Sequence, residues 1–351
     1  MRYFIKEDEL KFYKEPNSFS KYSDKNILKY AIGANLYMPA IQQSIFNKLL
    51  DNKFHNIGAI TLCMEDSIDD TQIGEAQFCV LALLERLYVI QQKEPKHNLP
   101  LIFVRVRNEE QFHEFSKLLK KEHINVLCGI NFPKFNSING EHYFSILKEL
   151  SLQYNEPLYG MPIIEDELVM YMDTRFSELG KIQDILKRYD DYVLNIRVGG
   201  TDFSSIFGLR RDITTSIYDI KVVADCLKDI LNYFIRKDCR YVVSGPVWEY
   251  YSWDENSQEI QGLKKELNLD IQNGFHGKTV IHPSQIDVVN KAYVIKFEEW
   301  QDANNILNAK GGVFAGCKGN RMNEVNPHRS WAKKILAKAE IYGVANLNVK
   351  F

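Results

Sequence analysis

No apolar stretch in this 351-residue sequence approaches the roughly 20 residues needed to span a bilayer. Neither charge predominates: 44 basic and 46 acidic side chains leave a formal net charge of −2. That balance excludes the positive footprint by which nucleic acid or an anionic membrane surface is held. Cysteine is sparse and scattered (Cys63, Cys79, Cys128, Cys226, Cys239, Cys317), with no Cys-x-x-Cys pair. Neither a thiolate zinc site nor a disulfide framework is expected, and a reducing cytoplasm fits best. The opening MRYFIKEDEL is charged within eight residues and lacks the apolar core of a signal peptide. Low-complexity segments and long linkers are also missing. These absences point to a soluble cytoplasmic protein whose partners are neither nucleic acid nor membrane.

What is present is alternation. Short, near-continuously apolar runs fall at 33–38, 57–64, 100–106, 125–131, 157–164, 192–198, 239–244 and 278–282. Amphipathic stretches lie between them at 41–52, 70–92, 109–122, 141–153, 178–189, 213–235, 256–272 and 284–297. Apolar strands separated by helices signal a parallel sheet covered on both faces. Eight such units predict an α/β fold closed as a (β/α)₈ TIM barrel. The barrel is expected over 31–297, with an N-terminal extension (1–30) and a helical tail (298–351) that packs on the barrel or on a neighbouring subunit. Helices 70–92 and 330–342 are apolar enough to supply a homo-oligomer interface, or equally to serve as ordinary outer-ring helices packed on the barrel.

In such a barrel the reacting groups stand where strands end. The predicted strands lead into Glu65-Asp66, Arg105 and Arg107, Lys134, Glu165-Asp166, Gly199-Gly200-Thr201-Asp202 and His282. Each has a plainer reading. Asp66, Asp166 and Asp202 could each cap the next helix, Lys134 could be a solvated loop lysine, and His282 a packed histidine. Together they are richer in Glu and Arg than caps require. Two carboxylates plus waters make a typical Mg²⁺ site, since this hard ion prefers oxygen and keeps part of its water shell; Mn²⁺ is the alternative ion. Glu165 and Asp202, from adjacent strands, are the favoured metal pair. Arg105 can fork onto a substrate carboxylate. Metal and guanidinium on one face suit a 2-keto acid and an enolate formed as the neighbouring C–C bond breaks.

Several segments, among them LYMPA (36–40), ITLCMEDS (60–67) and GFHGKTVIHPSQIDVVN (274–290), resemble those of the citrate lyase β-subunit and malyl-CoA lyase relatives of the HpcH/HpaI aldolase superfamily. LYMPA (36–40), ITLCMEDS (60–67), VRVRN (104–108), NFPKF (131–135) and MPIIED (161–166) follow that family's order. VGGTDFSSIFGLR (198–210) continues it, and GFHGKTVIHPSQIDVVN (274–290) is the most specific match. The resemblance implies a metal-dependent C–C bond lyase or aldolase with Mg²⁺ on Glu165 and Asp202, and a substrate carboxylate on Arg105. It further implies that Glu65 and Asp66 act around the reacting oxygen. Gly200, Thr201, Lys134, Lys278 and His282 become substrate-binding candidates. The substrate would be a small carboxylate, either a 2-keto acid or a 3-hydroxyacyl thioester.

The departures are specific. Where CoA-using relatives carry a tail aspartate that reaches a partner's site, this chain has Asn323 and Glu324, so Glu324 is the candidate replacement acid and CoA dependence is left open. Arg107 stands where the family has Asn, and GPVWEYYSW (245–253) lacks a counterpart. These features resemble a divergent citrate-lyase-like branch of tellurium-resistance-type biosynthetic operons. A thioester hydrolase or condensing enzyme on the same scaffold, and a non-catalytic carboxylate-binding barrel in a biosynthetic complex, are the competing readings.

Overall fold

The computed structural model describes residues 1–4, 11–42, 44–50, 56–94, 99–237, 241–347 and 349. Its strands are β1 (Phe12–Lys14), β2 (Ala34–Pro39), β3 (Ala59–Cys63), β4 (Leu101–Arg105), β5 (Leu127–Phe132), β6 (Tyr159–Ile164), β7 (Arg197–Val198), β8 (Lys278–Val280), β9 (Val313–Ala315), β10 (Met322–Glu324) and β11 (Val344–Ala345). Seven of them form one parallel sheet in the order β7-β6-β5-β4-β3-β2-β8. In β3 to β6 every residue is buried, as expected for strands covered on both faces.

The strand expected at 239–244, seventh of the eight, is reduced to single bridges. Residues 239 and 240, with Cys239, lie outside the described residues, as do the last two residues of the helix expected at 41–52. Ile196 bridges Val243, and Gly245 bridges Lys278. Ser244 N donates to Ile196 O at 2.8 Å, and Gly245 N to Gly277 O at 2.9 Å. Those bonds close the curled sheet into a TIM barrel.

The barrel wall is apolar, but its interior carries a polar layer. Asn131 Nδ2 donates to the Tyr37 hydroxyl at 2.7 Å and to Thr61 Oγ1 at 3.0 Å, and Thr61 Oγ1 donates to Asn35 Oδ1 at 3.1 Å. Thr61 thus links the two buried amides, while Asn35 Nδ2 and Asn131 Oδ1 have no hydrogen-bond partner among the described residues.

Helix boundaries moved where local chemistry overrode period. The helix expected over 109–122 breaks into Glu109–Leu118 and Lys121–Val126, because Leu119 and Lys120 are extended. There His123 Nδ1 accepts the Lys120 amide at 3.0 Å, restarting the helix. The 213–235 stretch becomes helical only from Lys221, after a short turn over Ile217–Asp219.

The N-terminal residues are tied to the tail beneath the barrel. Tyr3 stacks on Tyr342 with ring centroids 4.9 Å apart, and donates its hydroxyl to Ala31 O at 2.8 Å. β1 pairs with β11. Helices Phe297–Asn308 and Val325–Tyr342 share a small core of Ile295, Ala303, Ile306, Ala332, Ile335, Ala339 and Val344. The Gly-rich tail segment forms the β9–β10 hairpin. Among the described residues no helix is long and apolar enough to cross a membrane.

Candidate active site

Strand-end residues converge at the carboxyl ends of β3 to β7. Arg105, the last residue of β4, sits among three carboxylates. Its Nη1 lies 2.9 Å from Glu65 Oε2 and 3.4 Å from Asp66 Oδ2, and Nη2 lies 3.0 Å from Glu165 Oε1. Lys134 follows β5 and acts from both ends of the residue. Its ammonium donates to Glu65 Oε1 at 2.6 Å, and its backbone amide to Glu165 Oε1 at 3.0 Å. Lys134 makes this double contact from a left-handed backbone, with φ 47°. Strain of this kind persists only where surrounding contacts enforce it.

Glu165 and Asp202 meet across Gly199. A β-carbon on Gly199 would lie 2.2 Å from Glu165 Oε2 and 3.1 Å from Asp202 Oδ2. Asp202 is held in the first turn of the helix Gly200–Ile206, which begins straight after β7. The Glu165 carboxyl is pushed up to about 8 by burial and by the charge of Asp202, against the pull of Arg105. Asp202 is likewise raised, by burial and by Asp66. Burial also raises Glu65, although Arg105 and Lys134 oppose it. Facing carboxylates that resist ionisation are what a divalent cation would relieve. Among the described residues no three His, Cys, Asp or Glu side chains form a metal-holding group. A cation here would therefore rest on these two carboxylates, with water and substrate oxygens completing its shell.

Beside them opens a cavity of about 180 Å³, lined among others by Tyr37, Arg105, Glu165, Arg197, Asp202 and Thr279. Gly200 and Thr201 also line it. Arg105 is less available than its sequence position suggests. Both of its terminal nitrogens face carboxylates, and Nε has no hydrogen-bond partner among the described residues.

Other expected residues lie elsewhere. Lys278 does not reach the cavity: it is fully buried, with its ammonium 2.6 Å from Asp270 Oδ2 and 3.1 Å from Glu266 Oε1. Arg211 joins this network through Glu266 and Glu249, stacking on Trp248 at 5.0 Å. Lys278 is thus a structural ion-pair residue here; the strand places it against the carboxylates of helix Gln258–Asn273. Arg107 pairs with Asp70. Asp166 is a helix cap, accepting the Leu168 amide at 2.9 Å. Glu324 ends β10, and its amide donates to His328 Nδ1 at 3.0 Å; it is not among the described residues that line the cavity.

His282 lines a second cavity of about 400 Å³ with Leu36, Met38, Lys48 and Trp253, which shares Ile281 with the first. Tyr251 stacks on His282 at 4.2 Å, and Trp253 meets it edge-on at 5.1 Å. The aromatic run 245–253 therefore divides: Trp248 packs inside while Tyr251 and Trp253 stand at the mouth. Sequence reading missed Arg197 and Tyr37. Arg197 had a readable signal, because within the expected run 192–198 it falls two residues after Asn195, and both are buried.

Comparison with known proteins agrees with this architecture. The family described as C-C bond lyase of the TIM-barrel fold matches residues 26–344. A citrate lyase from Burkholderia xenovorans LB400 superposes with a TM-score of 0.65 at 15% identity, over 90% of this chain and 94% of that one. The CitE protein of Mycobacterium tuberculosis, crystallised with magnesium, acetoacetate and coenzyme A, gives a TM-score of 0.56 at 20% identity, over 89% of this chain and 99% of that one. At such identities the likeness establishes a common fold. Comparison with curated proteins gives no match.

Proposed function

The chain belongs to the C–C bond lyase family of the TIM-barrel fold, and from that premise we propose that it is a Mg²⁺-dependent lyase or aldolase acting on a small 2-oxo carboxylate. The observation that carries this reading is the meeting of Glu165 and Asp202 across Gly199, with Glu165 Oε1 3.0 Å from the buried guanidinium of Arg105. These two carboxylates would hold the ion, which when bound supplies positive charge to the oxygens of a 2-oxo acid. The magnesium in the M. tuberculosis structure supports that choice of cation.

The rest of the chemistry falls to the protein's own groups. Cleavage of a β-hydroxy carbonyl breaks the bond between the α- and β-carbons. Its electron pair stays on the α-carbon as an enolate, which takes up a proton to give the 2-oxo acid, while the β-hydroxyl loses a proton and becomes a carbonyl. Glu65 suits that proton: it is buried, and two cations hold its orientation. Arg105 positions Glu65 and Glu165 relative to each other. Lys134 places its ammonium beside Glu65, where it stabilises the carboxylate before proton uptake. Gly200 and Thr201 shape the cavity wall.

The test is product analysis with 4-hydroxy-2-oxo acids. A 2-oxo acid and an aldehyde should appear only with Mg²⁺ or Mn²⁺ and stop with EDTA. Release of products at an equal rate in EDTA would refute the metal-dependent reading.

A further inference from the structure

The Tyr37 hydroxyl crosses the barrel interior. Tyr37 belongs to β2, yet its oxygen accepts Asn131 Nδ2 of β5 at 2.7 Å and a hydrogen bond from Arg197 of β7. β3 and β4 separate β2 from β5 on one side; β8 and the bridging segment at 243 separate β2 from β7 on the other. The residue is half-buried and lines the same cavity as Glu165 and Asp202. Two donors on one phenolic oxygen take up its acceptor capacity and leave its own O–H to be donated. Among the described residues that O–H meets no acceptor. Burial holds the proton on Tyr37 above the ordinary tyrosine value, while the charges of Arg197 and Arg105 oppose that shift. The group therefore keeps its proton at neutral pH, and two guanidinium charges and an amide donor await the phenolate left when the proton departs.

We propose that Tyr37 is the acid that delivers a proton to the α-carbon of the enolate, so that cleavage uses two separate proton sites, Glu65 and Tyr37. The inference rests on the lyase reading above. The β-hydroxyl proton passes to Glu65, and the electron pair of the broken C–C bond stays on the α-carbon. The Tyr37 O–H bond then breaks as a C–H bond forms at that carbon, its own electron pair remaining on the phenolic oxygen. Water afterwards returns a proton to the phenolate and takes one from Glu65, so no other reactant is consumed. The other hydroxyls that line the cavity, on Thr201 and Thr279, are aliphatic and much weaker acids than a phenol. Thr279 Oγ1 also accepts Arg197 Nη2 at 2.6 Å.

Deuterium uptake into the methyl group of pyruvate, followed by NMR in heavy water with Mg²⁺, isolates the protonation step. The wild type should catalyse it, and Tyr37→Phe should slow it at least about a hundredfold. Cleavage is read separately, as first-turnover release of acetaldehyde from 4-hydroxy-2-oxopentanoate by rapid quench. Tyr37→Phe should keep that release within about threefold of the wild-type rate, whereas Glu65→Gln should lose it. A purely structural Tyr37 would slow both steps together, and that result overturns the proposal; so does exchange at the wild-type rate in Tyr37→Phe. If the phenylalanine variant does not fold, 3-fluorotyrosine at position 37 keeps the hydroxyl and acidifies it. It should change the exchange rate about threefold or more, and its fluorine NMR signal should shift when pyruvate is added. An unmoved signal or an unchanged exchange rate overturns the proposal. If the wild type neither releases acetaldehyde nor exchanges pyruvate, the lyase reading fails and the role of Tyr37 falls with it; cleavage by the wild type with exchange intact in Tyr37→Phe removes Tyr37 alone.

Discussion

Glu165 occupies the space that a side chain on Gly199 would fill: a β-carbon there would lie 2.2 Å from Oε2 and 2.5 Å from Cβ of Glu165. The backbone at Gly199 has φ −90°, which any L-residue can adopt. Glycine is required here for room, not for backbone freedom. Gly199→Ala should therefore fold and displace Glu165 from Asp202. Turnover should fall about a hundredfold, the usual consequence of a misplacement near 1 Å. Steady-state kinetics beside a thermal melt measure both effects; wild-type turnover in the alanine variant would mean that Glu165 is dispensable.

Lys134 offers a way to separate backbone from side chain. Lys134→Gly keeps the amide that binds Glu165 and suits the φ of 47°. Relief of strain and greater chain freedom oppose each other, so stability should stay within about 1 kcal/mol of wild type. Turnover should drop at least about tenfold, because Glu65 loses its ammonium partner. Full activity in this variant would remove Lys134 from the reaction.

Lys278 should behave in the opposite way. Lys278→Met leaves Asp270 and Glu266 buried without that ammonium. Loss of one partner from a buried ionic network costs on the order of 3 kcal/mol. Urea denaturation should show that loss, while KM for any substrate stays unchanged in the folded fraction. A raised KM with unaltered stability would instead put Lys278 in the binding site.

The histidine beneath the barrel sets an acid limit. His276 is buried, with Nε2 3.0 Å from Tyr30 O. Burial, with help from the charges of Lys338 and Lys334, holds its pKa well below 6.5. In the unfolded chain the same histidine takes up a proton near pH 6.5. The native state, unable to do so, should lose stability as pH falls from 6.5 to 5.5, by up to about 1.4 kcal/mol per pH unit. Above pH 6.5 this contribution is constant. His276→Gln should flatten that slope in urea titrations at the two pH values, and an unchanged slope would assign the acid sensitivity to other groups.

Much of this architecture was legible because the barrel strands are near-continuous apolar runs, and their ends carry the charged residues. β3 to β6 fall inside the expected runs or within one residue of them, and Glu165 and Asp202 stand together as their strand-end positions suggested. The strand expected at 239–244 is present only as isolated bridges at Val243 and Gly245. Arg197 was missed because a single charge inside an apolar run looks like an edge effect; its phase with Asn195 was the available clue. Lys278 misled for the opposite reason. It stands in the segment that most resembles the family, yet its partners, Glu266 and Asp270, lie one helical turn apart on a helix that flanks the barrel. Position along the chain says which strand end a residue belongs to, but not which charge it will find there.

The most direct measurement is Mg²⁺ titration by calorimetry on the wild type, Glu165→Ala and Asp202→Asn, each checked for an intact fold by circular dichroism. The account predicts one Mg²⁺ per chain in the wild type and no detectable heat in either variant. Unaltered Mg²⁺ binding in both variants would contradict it.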